Sequence, residues 1–536
     1  MQNIEIPYVE DRGKRYRFFE ILPGAITWSI LALPFVLSKI SPRLGVLFIL
    51  AYLLLWFVKA LGLNIRAIQG FRMMRQHQKL PWRRMLEQLG IGDMHQQDQG
   101  LPSWHNENIL RLAKQPNPVK HTDIVHVAMI ATYNESSEIL EPTIKAILDS
   151  DYNMDQVILM IAYEERGGPG VESQAEQLIK RYRPKFKHAF AVKHPSDMLG
   201  EVIGKGGNVT FAGRELAKYI ASTKIRPLDV IVTTLDADNR PHKQYLAALS
   251  YLYAVSADPL HVSYQPIPIY TNNIWDAPAA MRVIATGNSF WNIVLSMRHH
   301  MIRNFSAHAQ SLQALIDTDF WSVRTIVEDG HQFWRTYFRY DGKHEVYPLY
   351  VPIYQDAVLS NTYLKTLKAQ FIQLRRWAWG ASDIAYVAEM GFFTPNKVPK
   401  LDLIFKFGRL VEGHITWAVA PLILAFSAFI PALFNPQDFA AQQLPIIASW
   451  IQRIALAGII ITLYLSVKML PPKPARYKHH RSVFMLLQWV MLPVTTVAYN
   501  SLSALYSQTR LMFGKYIDKF DVTDKAVVTE GKQKRL

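Results

Sequence analysis

The fold of this chain can be predicted outward from residues 229–239, which read Asp-Val-Ile-Val-Thr-Thr-Leu-Asp-Ala-Asp-Asn. The apolar run Asp229 to Leu235 is typical of a buried strand, and polar residues follow it. A second short apolar run, His126 to Thr132, ends in the same way. Helical patterns lie between the two, for example Ser137 to Asp149 and Val209 to Ser222. Buried strands that alternate with helices predict a parallel α/β sheet, whose chemistry lies at the carboxyl ends of the strands.

Two acids, Asp236 and Asp238, follow this strand with one residue between them. Carboxylate oxygens are the ligands that hard divalent cations prefer, and both acids can approach one ion where the strand ends and the chain turns. The alternative is a capping or turn role, which is the commoner use of an isolated Asp-x-Asp. The position of the pair in an α/β core favours the metal-binding interpretation.

The N-terminal segment predicts a transmembrane hairpin. Ile21 to Ser38 is apolar and free of charge, and Leu44 to Val58 follows after a short turn. Snorkelling of Lys59 lets the second run reach spanning length. Basic residues are numerous before and after the hairpin but few in its turn, so both flanks are expected in the cytosol. A cleaved signal peptide is disfavoured because the first run is long and a second follows.

The C-terminal part predicts two further spans, Trp417 to Phe434 and Ile454 to Val467. A last apolar segment, Val483 to Leu505, contains Pro493. If it crossed the membrane, the basic tail would lie outside, against the charge rule. We therefore expect an interfacial or re-entrant placement for it, which leaves four spans.

The composition limits the class of function. The 536 residues include no cysteine, which excludes disulfides, thiolate metal sites and cysteine nucleophiles. The formal net charge is +16. A positive charge of this size is typical of proteins that bind nucleic acid and of proteins that contact anionic lipids. Because basic residues flank the apolar spans, we expect membrane lipids and no nucleic acid as partners.

A second acidic site, Glu328-Asp329, follows Ile326-Val327 and precedes an aromatic-rich stretch. Acids at a helix start have a structural explanation, since they interact favourably with the helix dipole. The functional interpretation makes Asp329 a general base whose pKa is tuned by burial and by Glu328. The motif alone leaves both interpretations open.

A third element is a helical face formed by Gln373, Arg376 and Trp377, spaced i, i+3 and i+4. A guanidinium is suited to phosphate oxygens, and the large ring is suited to stacking on a sugar. The alternative is an amphipathic helix at the bilayer surface.

Together these segments resemble the family 2 inverting glycosyltransferases, most closely the membrane-embedded processive branch that includes cellulose, chitin and hyaluronan synthases. The resemblance covers roughly residues 122 to 390. It rests on Thr132-Tyr133-Asn134-Glu135, on Gly204-Lys205-Gly206-Gly207-Asn208, on Asp236 and Asp238, on Val327-Glu328-Asp329, and on Gln373-x-x-Arg376-Trp377. The chain departs from the family pattern at Ala131 and Val327, where proline and threonine are usual.

The resemblance implies an α/β GT-A (Rossmann-like) cytosolic domain plus an α-helical transmembrane region. It implies transfer of a sugar from a nucleotide sugar, with UDP favoured, to a growing polysaccharide, with inversion to a β-linkage. Asp236 and Asp238 would hold Mg²⁺ or Mn²⁺, Asp329 with Glu328 would be catalytic, and Trp377 would contact the acceptor. The implied nucleotide-sugar-binding residues are Thr132, Asn134, Glu135, Glu164, Lys205, Asn208, Asp236, Gln373 and Arg376. Glu164 stands in this set for an aspartate that the family carries after its second strand.

The segment Phe520-Asp521-Val522-Thr523-Asp524-Lys525 resembles the gating loop of cellulose synthases. That resemblance adds Thr523 and Lys525 to the nucleotide-binding set and requires a cytosolic tail. The predicted divisions are residues 1–66 for a basic segment and transmembrane hairpin, 67–121 for a cytosolic linker, 122–390 for the GT-A domain, 391–509 for interfacial and transmembrane helices, and 510–536 for a cytosolic tail.

Two alternatives to processive polymer synthesis stay open. One is transfer of a single sugar to a lipid carrier or glycolipid, which the small membrane region favours. The other is an inactive membrane scaffold or regulator of the same fold, which the intact acids disfavour. The expected location is the plasma (cell inner) membrane, with several spans and a cytosolic catalytic domain. Four spans are fewer than a polymer pore of this family uses, so a homo-oligomer or an accessory subunit is a further expected partner.

Overall fold

The computed structural model describes residues 3–91, 100–115, 118–478 and 480–518. It begins with an extended segment and two long helices that form a hairpin, followed by two short helices. The bounds of these four helices are α1 Lys14–Ile40, α2 Pro42–His77, α3 Trp82–Ile91 and α4 Ser103–Leu112. Pro42 opens α2 at its first position, where a missing N–H costs no helical hydrogen bond.

The centre of the molecule is an eight-stranded mixed sheet with the order β3-β2-β1-β4-β7-β6-β8-β5. Its strands are β1 Val125–Thr132, β2 Val157–Glu164, β3 His188–His194, β4 Val230–Asp236, β5 Arg240–Pro241, β6 Val262–Tyr270, β7 Ala309–Ser311 and β8 Glu345–Gln355. Strands β3, β2, β1 and β4 are parallel. The short strand β7 is antiparallel to both β4 and β6, and β6 pairs with β8 in parallel.

Helices connect the strands and cover both faces of the sheet. They are α5 Ser137–Leu148, α6 Pro169–Tyr182, α7 Lys205–Ala221, α8 Tyr245–Ala254, α9 Ala279–Ser296, α10 Leu312–Asp317, α11 Glu328–Arg339, α12 Tyr363–Ala378 and α13 Asp383–Ala388. Alternate residues of β1 enter different cores: Ala128 and Ile130 pack on one side, and Val127 and Met129 on the other. Burial on both faces explains why this strand is apolar throughout.

The predicted α/β fold class is confirmed. The two apolar runs form β1 and β4, and the first helical pattern forms α5. Helix α7 begins at Lys205, four residues before the predicted Val209. The earlier start places Gly206 against the backbone, because a Cβ there would lie 2.5 Å from the carbonyl oxygen of Ser322.

The C-terminal part is helical. Its helices are α14 Lys400–Phe426, α15 Ile430–Phe434, α16 Phe439–Leu456, α17 Gly458–Met469, α18 His480–Leu487, α19 Leu492–Thr495 and α20 Leu502–Met512. In the described part of the chain, five helical segments are long and apolar enough to cross a membrane: Lys14–Ile40, Pro42–His77, Lys400–Phe434, Phe439–Met469 and His480–Met512. The last of these is one more than the four spans that the sequence predicts.

Two of the long helical segments meet at their C-terminal ends. The turn after α15 contacts the end of α1, since Asn435 Nδ2 donates to the Ser38 carbonyl over 2.7 Å. The segment 480–512 instead contacts the sheet domain near both of its ends. Arg282 Nε donates to Gln488 Oε1 over 2.5 Å, and Ser507 Oγ donates to the Arg375 carbonyl over 2.7 Å.

Candidate active site

The predicted site residues lie at the carboxyl edge of the parallel strands. Thr132 ends β1, Glu164 ends β2 and Asp236 ends β4. The register pairs Ala131 with Asp236 and Thr132 with Tyr163, so the three strands end at one level. This edge is where open α/β sheets bind ligands.

The two acids after β4 have different surroundings. Asp236 is about one-third exposed at 34%, and it lies 2.9 Å from the Lys205 ammonium through Oδ1. Its Oδ2 accepts a hydrogen bond from Ser306 Oγ over 2.5 Å. Asp238 is buried, and its Oδ2 accepts the Asp356 backbone N–H over 2.9 Å. Asp236 is therefore the more accessible of the pair.

Lys205, the first residue of α7, joins the two acidic sites. Its Nζ lies 2.9 Å from Asp236, 3.3 Å from Asp329 and 3.8 Å from Glu328. Burial alone would lower the pKa of Lys205, but the three carboxyl groups raise it above its ordinary value. The ammonium is therefore charged at neutral pH and neutralises carboxylates from two separate segments.

Glu328 and Asp329 begin α11 and differ in exposure. Burial, together with the charge of Asp329, raises the pKa of Glu328 to about 8, although Lys205 opposes this. Glu328 is thus mostly protonated at neutral pH and cannot accept a second proton. Asp329 is more accessible and contacts Lys205 and His308. Of the two predicted catalytic acids, Asp329 has the surroundings of a base.

His308 is a site residue that sequence reasoning missed. It is fully buried, with Nδ1 3.0 Å from the Phe305 carbonyl and 3.5 Å from Asp329 Oδ1. The indole N–H of Trp321 donates to its Nε2 over 3.1 Å. Since an indole N–H can only donate, Nε2 is the acceptor and Nδ1 carries the proton. Burial lowers the pKa of His308, so the ring is neutral and donates its one N–H to the Phe305 carbonyl, with Asp329 Oδ1 beside it.

The backbone next to this histidine is strained. Ala307 has φ of 70°, in the left-handed region that favours glycine. A non-glycine residue held there is a local cost that the surroundings must offset. An alanine gives no signal of this in the sequence, which is one reason the segment escaped prediction.

The residues after β1 close a turn. Glu135 Oε2 accepts hydrogen bonds from Thr132 Oγ1 and from the Tyr133 backbone N–H, each over 2.8 Å. Asn208 is buried, and its Nδ2 donates to the Ala162 carbonyl over 2.9 Å. These contacts are structural, and they place Asn134 at the outer end of the turn.

Glu164, at the end of β2, contacts Arg166. Burial raises the pKa of Glu164, while Arg166 and His194 act to lower it. Glu164, which we expect to bind the nucleotide, is therefore already next to a cation, Arg166.

The helical face predicted around residue 373 is formed by α12, which contains Gln373, Arg376 and Trp377. The ring of Trp377 lies 6.3 Å from that of Tyr270, at the carboxyl end of β6. Burial, and then Asp236 and Asp238, raise the pKa of Tyr270, while Arg376 lowers it. Tyr270 therefore contacts α12 and is affected by the charges of both acids, and it is a second residue that the sequence did not reveal.

Thr523 and Lys525 lie outside the described residues. The described chain ends close to the site, because Ile517 packs with Ile326 and Val327, just before α11. Tyr516 OH donates to Glu20 Oε2 over 2.7 Å, which holds this end of the chain against α1.

The chemistry of the donors is suited to a divalent cation only in part. Among the described residues, no group of three or more His, Cys, Asp and Glu is arranged as a complete metal site. Asp236 and Asp238 supply hard carboxylate oxygens on one turn, which matches Mg²⁺ or Mn²⁺ bound by one or two carboxylates with phosphate and water. The two acids thus fit an ion that a diphosphate would help to coordinate.

No family model and no curated protein sequence matches this chain. Among solved structures, the mannosyltransferase PcManGT from Pyrobaculum calidifontis in complex with GDP-Man and Mn²⁺ is similar at 14% identity and a TM-score of 0.38, over 82% of this chain and 99% of that one. S. aureus TarS 1-349 in complex with UDP-GlcNAc has 11% identity and a TM-score of 0.34, over 75% and 95%. GalNAc-T7 with UDP, GalNAc and Mn²⁺ has 9% identity and a TM-score of 0.32, over 55% and 58%. At these values the function has to be argued from the residues of the site.

Proposed function

We propose that this chain is a membrane glycosyltransferase that transfers a sugar from a nucleotide sugar to an acceptor hydroxyl, with inversion at the anomeric carbon. The observation that carries the proposal is the position of Lys205, within 4 Å of Asp236 on β4 and of Glu328 and Asp329 on α11. It brings a diphosphate-binding group and a base to one place, as glycosyl transfer requires.

In the proposed mechanism the diphosphate lies at the amino end of α7, where backbone N–H groups and the helix dipole favour an anion. Lys205 binds it and in doing so releases Asp329 from its ion pair. Asp236 and Asp238 would hold Mg²⁺ or Mn²⁺, which would neutralise charge on the departing diphosphate.

Asp329 then accepts the proton of the acceptor hydroxyl. The hydroxyl oxygen forms a bond to the anomeric carbon while the bond from that carbon to the diphosphate oxygen breaks. A single displacement inverts the centre, so a UDP-α-sugar gives a β-linkage. Gln373 and Arg376 stabilise the leaving diphosphate, and the neutral His308 ring lies beside Asp329, with Nδ1 3.5 Å from Oδ1.

The acceptor is proposed to be a growing polysaccharide. Trp377 and Tyr270 present two aromatic rings beside the acids, which is the kind of surface that stacks on sugars. A lipid carrier is the second candidate, favoured by the small membrane region, in which the described residues supply at most five candidate spans. Chain length of the product from purified protein and labelled nucleotide sugars separates the two.

We further propose that the sheet domain is cytosolic and that segment 480–512 lies at the membrane interface. Its contacts with Arg282 and with the Arg375 carbonyl support this, since both ends then lie on the side of the sheet domain. A cysteine at Val490, which is exposed at 81% in a chain without cysteines, tests the placement. In inverted membrane vesicles, a membrane-impermeant maleimide should label a cytosolic-interface cysteine.

A screen of nucleotide sugars with Mg²⁺ and Mn²⁺ tests the function. The full-length protein should hydrolyse or transfer from at least one UDP-sugar in a metal-dependent way, and EDTA should stop the reaction. Asp236→Asn should lose this activity, and Asp229→Asn, whose acid pairs with Arg226 away from the site, should keep it. Absence of turnover with every nucleotide sugar would favour an inactive scaffold.

A further inference from the structure

A group of cations lies where two long apolar helices leave the sheet domain. Arg66 is on α2 and Arg409 is on α14, while Arg298 and His300 lie in the turn after α9. Arg409 and His300 are exposed, and Arg66 and Arg298 are half-buried. These four residues are called the interfacial cluster below.

The turn is held between the two helices. On one side, a Cβ at Gly70 would lie 2.6 Å from the Ile293 carbonyl oxygen and 3.1 Å from Met297 Cγ, so α2 is in direct contact with the end of α9. Arg66 precedes Gly70 by four residues and therefore lies on the same face of α2.

On its other side the turn packs on α14. Ile302 shares an apolar cluster with Leu403, Phe407 and Leu410. Arg409 adjoins this contact in sequence. Three separate elements thus bring cations to one place.

Within residues 3–91, 100–115, 118–478 and 480–518, the cluster has little negative charge to match its cations. Burial lowers the pKa of Arg298, and Arg66 and Arg409 lower it further. The carboxylate that acts against them is Glu412, and Lys59 already binds it over 2.8 Å. The Arg298 Nε is also buried, and no described group accepts its hydrogen. Such a set of cations is stabilised by an external anion.

The dipole of α9 explains only part of this arrangement. A helix C-terminus favours cations in the residues around it, which accounts for Arg298 and His300. The dipole does not account for Arg66 and Arg409, which come from other helices. Their charges increase the electrostatic repulsion on Arg298.

The level of the cluster points to the source of the anion. The apolar run that begins at Leu44 reaches the roughly 30 Å of a hydrocarbon core only near Ile65, at about 1.5 Å per residue and with Lys59 snorkelling, so Arg66 follows directly after the core. Past the hydrocarbon core, the polar headgroup layer extends over roughly 5–8 Å on each side. With snorkelling of long side chains, the cluster reaches lipid phosphates.

We propose that the interfacial cluster binds the phosphate of an anionic membrane lipid. Guanidinium groups from α2, α14 and the turn form hydrogen bonds to the phosphate oxygens, for which Arg geometry is suited. The bound lipid joins the two helices to the sheet domain. The inference rests on the membrane placement proposed above and is independent of the proposed sugar transfer.

Native mass spectrometry of the full-length protein in detergent tests this. Equal amounts of phosphatidylglycerol and phosphatidylcholine with the same acyl chains are the probes. We expect the wild type to prefer phosphatidylglycerol and Arg66→Gln/Arg409→Gln to reduce that preference about 25-fold, since each basic residue near a membrane surface contributes about fivefold. The double variant leaves half-buried Arg298 in place, which protects folding.

Two variants serve as controls. Arg72→Gln makes the same charge change at an exposed position on α2 and should keep the preference. Arg66→Lys/Arg409→Lys keeps the charge and should retain most of the preference for phosphatidylglycerol.

An unchanged preference in the Gln double variant, or equal binding of the two lipids by the wild type, would overturn the proposal. Displacement of the lipid by millimolar inorganic phosphate would also overturn it, because the site would then be one for free phosphate. Nucleotide-sugar hydrolysis, measured in parallel, reports separately on the proposed function.

Discussion

The two halves of the sheet differ in regularity and in what they contribute. The half formed by β3, β2, β1 and β4 is parallel, and its strand ends carry Thr132, Glu164 and Asp236. The half formed by β7, β6, β8 and β5 is mixed and has a register shift at Pro266/Ile267. It supplies Tyr270, and α11, which begins with the proposed base, connects its strands β7 and β8. In the proposed mechanism the regular half binds the donor, and the irregular half holds the groups that act on an acceptor.

Lys205 links Asp236 at the end of β4 to Glu328 and Asp329 at the start of α11, and its loss should have the largest effect. Lys205→Met leaves three carboxyl groups without their cation, and breaking a buried ion pair costs about 3–5 kcal/mol of unfolding free energy. We expect a large drop in melting temperature and no measurable UDP binding by calorimetry. Lys218→Met, which removes an exposed lysine paired only with Glu215, should change neither.

His308 directly precedes β7 and lies beside Asp329, so its loss should separate the two halves. We expect His308→Asn to lower kcat about tenfold, a part of the ~10²–10⁴ that a general base contributes, while UDP binding stays unchanged. Steady-state kinetics with both substrates measures this. His261→Asn, at a half-buried histidine paired with Asp258, is the control. A parallel loss of UDP binding would place His308 in the donor half.

The N-terminal segment supports the irregular half from outside. Glu5 Oε2 lies 2.7 Å from Arg335, which is buried in α11, and Tyr386 OH donates to the Ile4 carbonyl over 2.8 Å. Glu5→Ala leaves the Arg335 guanidinium short of a partner and should cost about 1.5–3 kcal/mol. Thermal unfolding should show the loss, and the exposed Glu10→Ala should not.

Glu328 should give the smallest effect on activity. Because it is mostly protonated at neutral pH, Glu328→Gln should keep transfer within about twofold at pH 7, where the neutral acid and the amide are alike. Stability should respond to pH instead. Because the pKa of Glu328 is raised in the folded protein, the folded state keeps this proton up to about pH 8. The unfolded chain loses the same proton above the ordinary pKa near 4.5. The unfolding free energy of the wild type should therefore fall between about pH 4.5 and about pH 8 relative to the variant.

In the regular half, the sequence predicted β1 and β4 from their apolar runs. Burial of β1 and β4 on both faces leaves continuous apolar runs that a window of residues detects. In β6 and β8, Pro266, Pro268, Pro348 and Pro352 interrupt such a pattern, and proline argues against a strand. These strands form nevertheless, with a register shift that accommodates the break.

The site was predicted to the extent that its chemistry lies in short motifs. Asp236, Lys205 and Asp329 each follow from such a motif, and the structure brings them together. His308 and Tyr270 are single residues in stretches without a motif, and only the tertiary fold brings them to the acids. The contacts of the segment 480–512 with the sheet domain likewise could not be predicted from hydropathy, because hydropathy reports only the length and composition of an apolar segment.

The proposed separation of donor binding in one half of the sheet from acceptor activation in the other is tested most directly by Asp329→Asn. UDP binding and sugar transfer are measured on the same preparation. The account predicts that UDP binding with Mg²⁺ or Mn²⁺ stays within a few-fold of wild type, since Asn keeps the shape of the side chain. It predicts that transfer falls by about 10²–10⁴, the contribution of a general base. Wild-type transfer by this variant would contradict the account and remove Asp329 from the role of base.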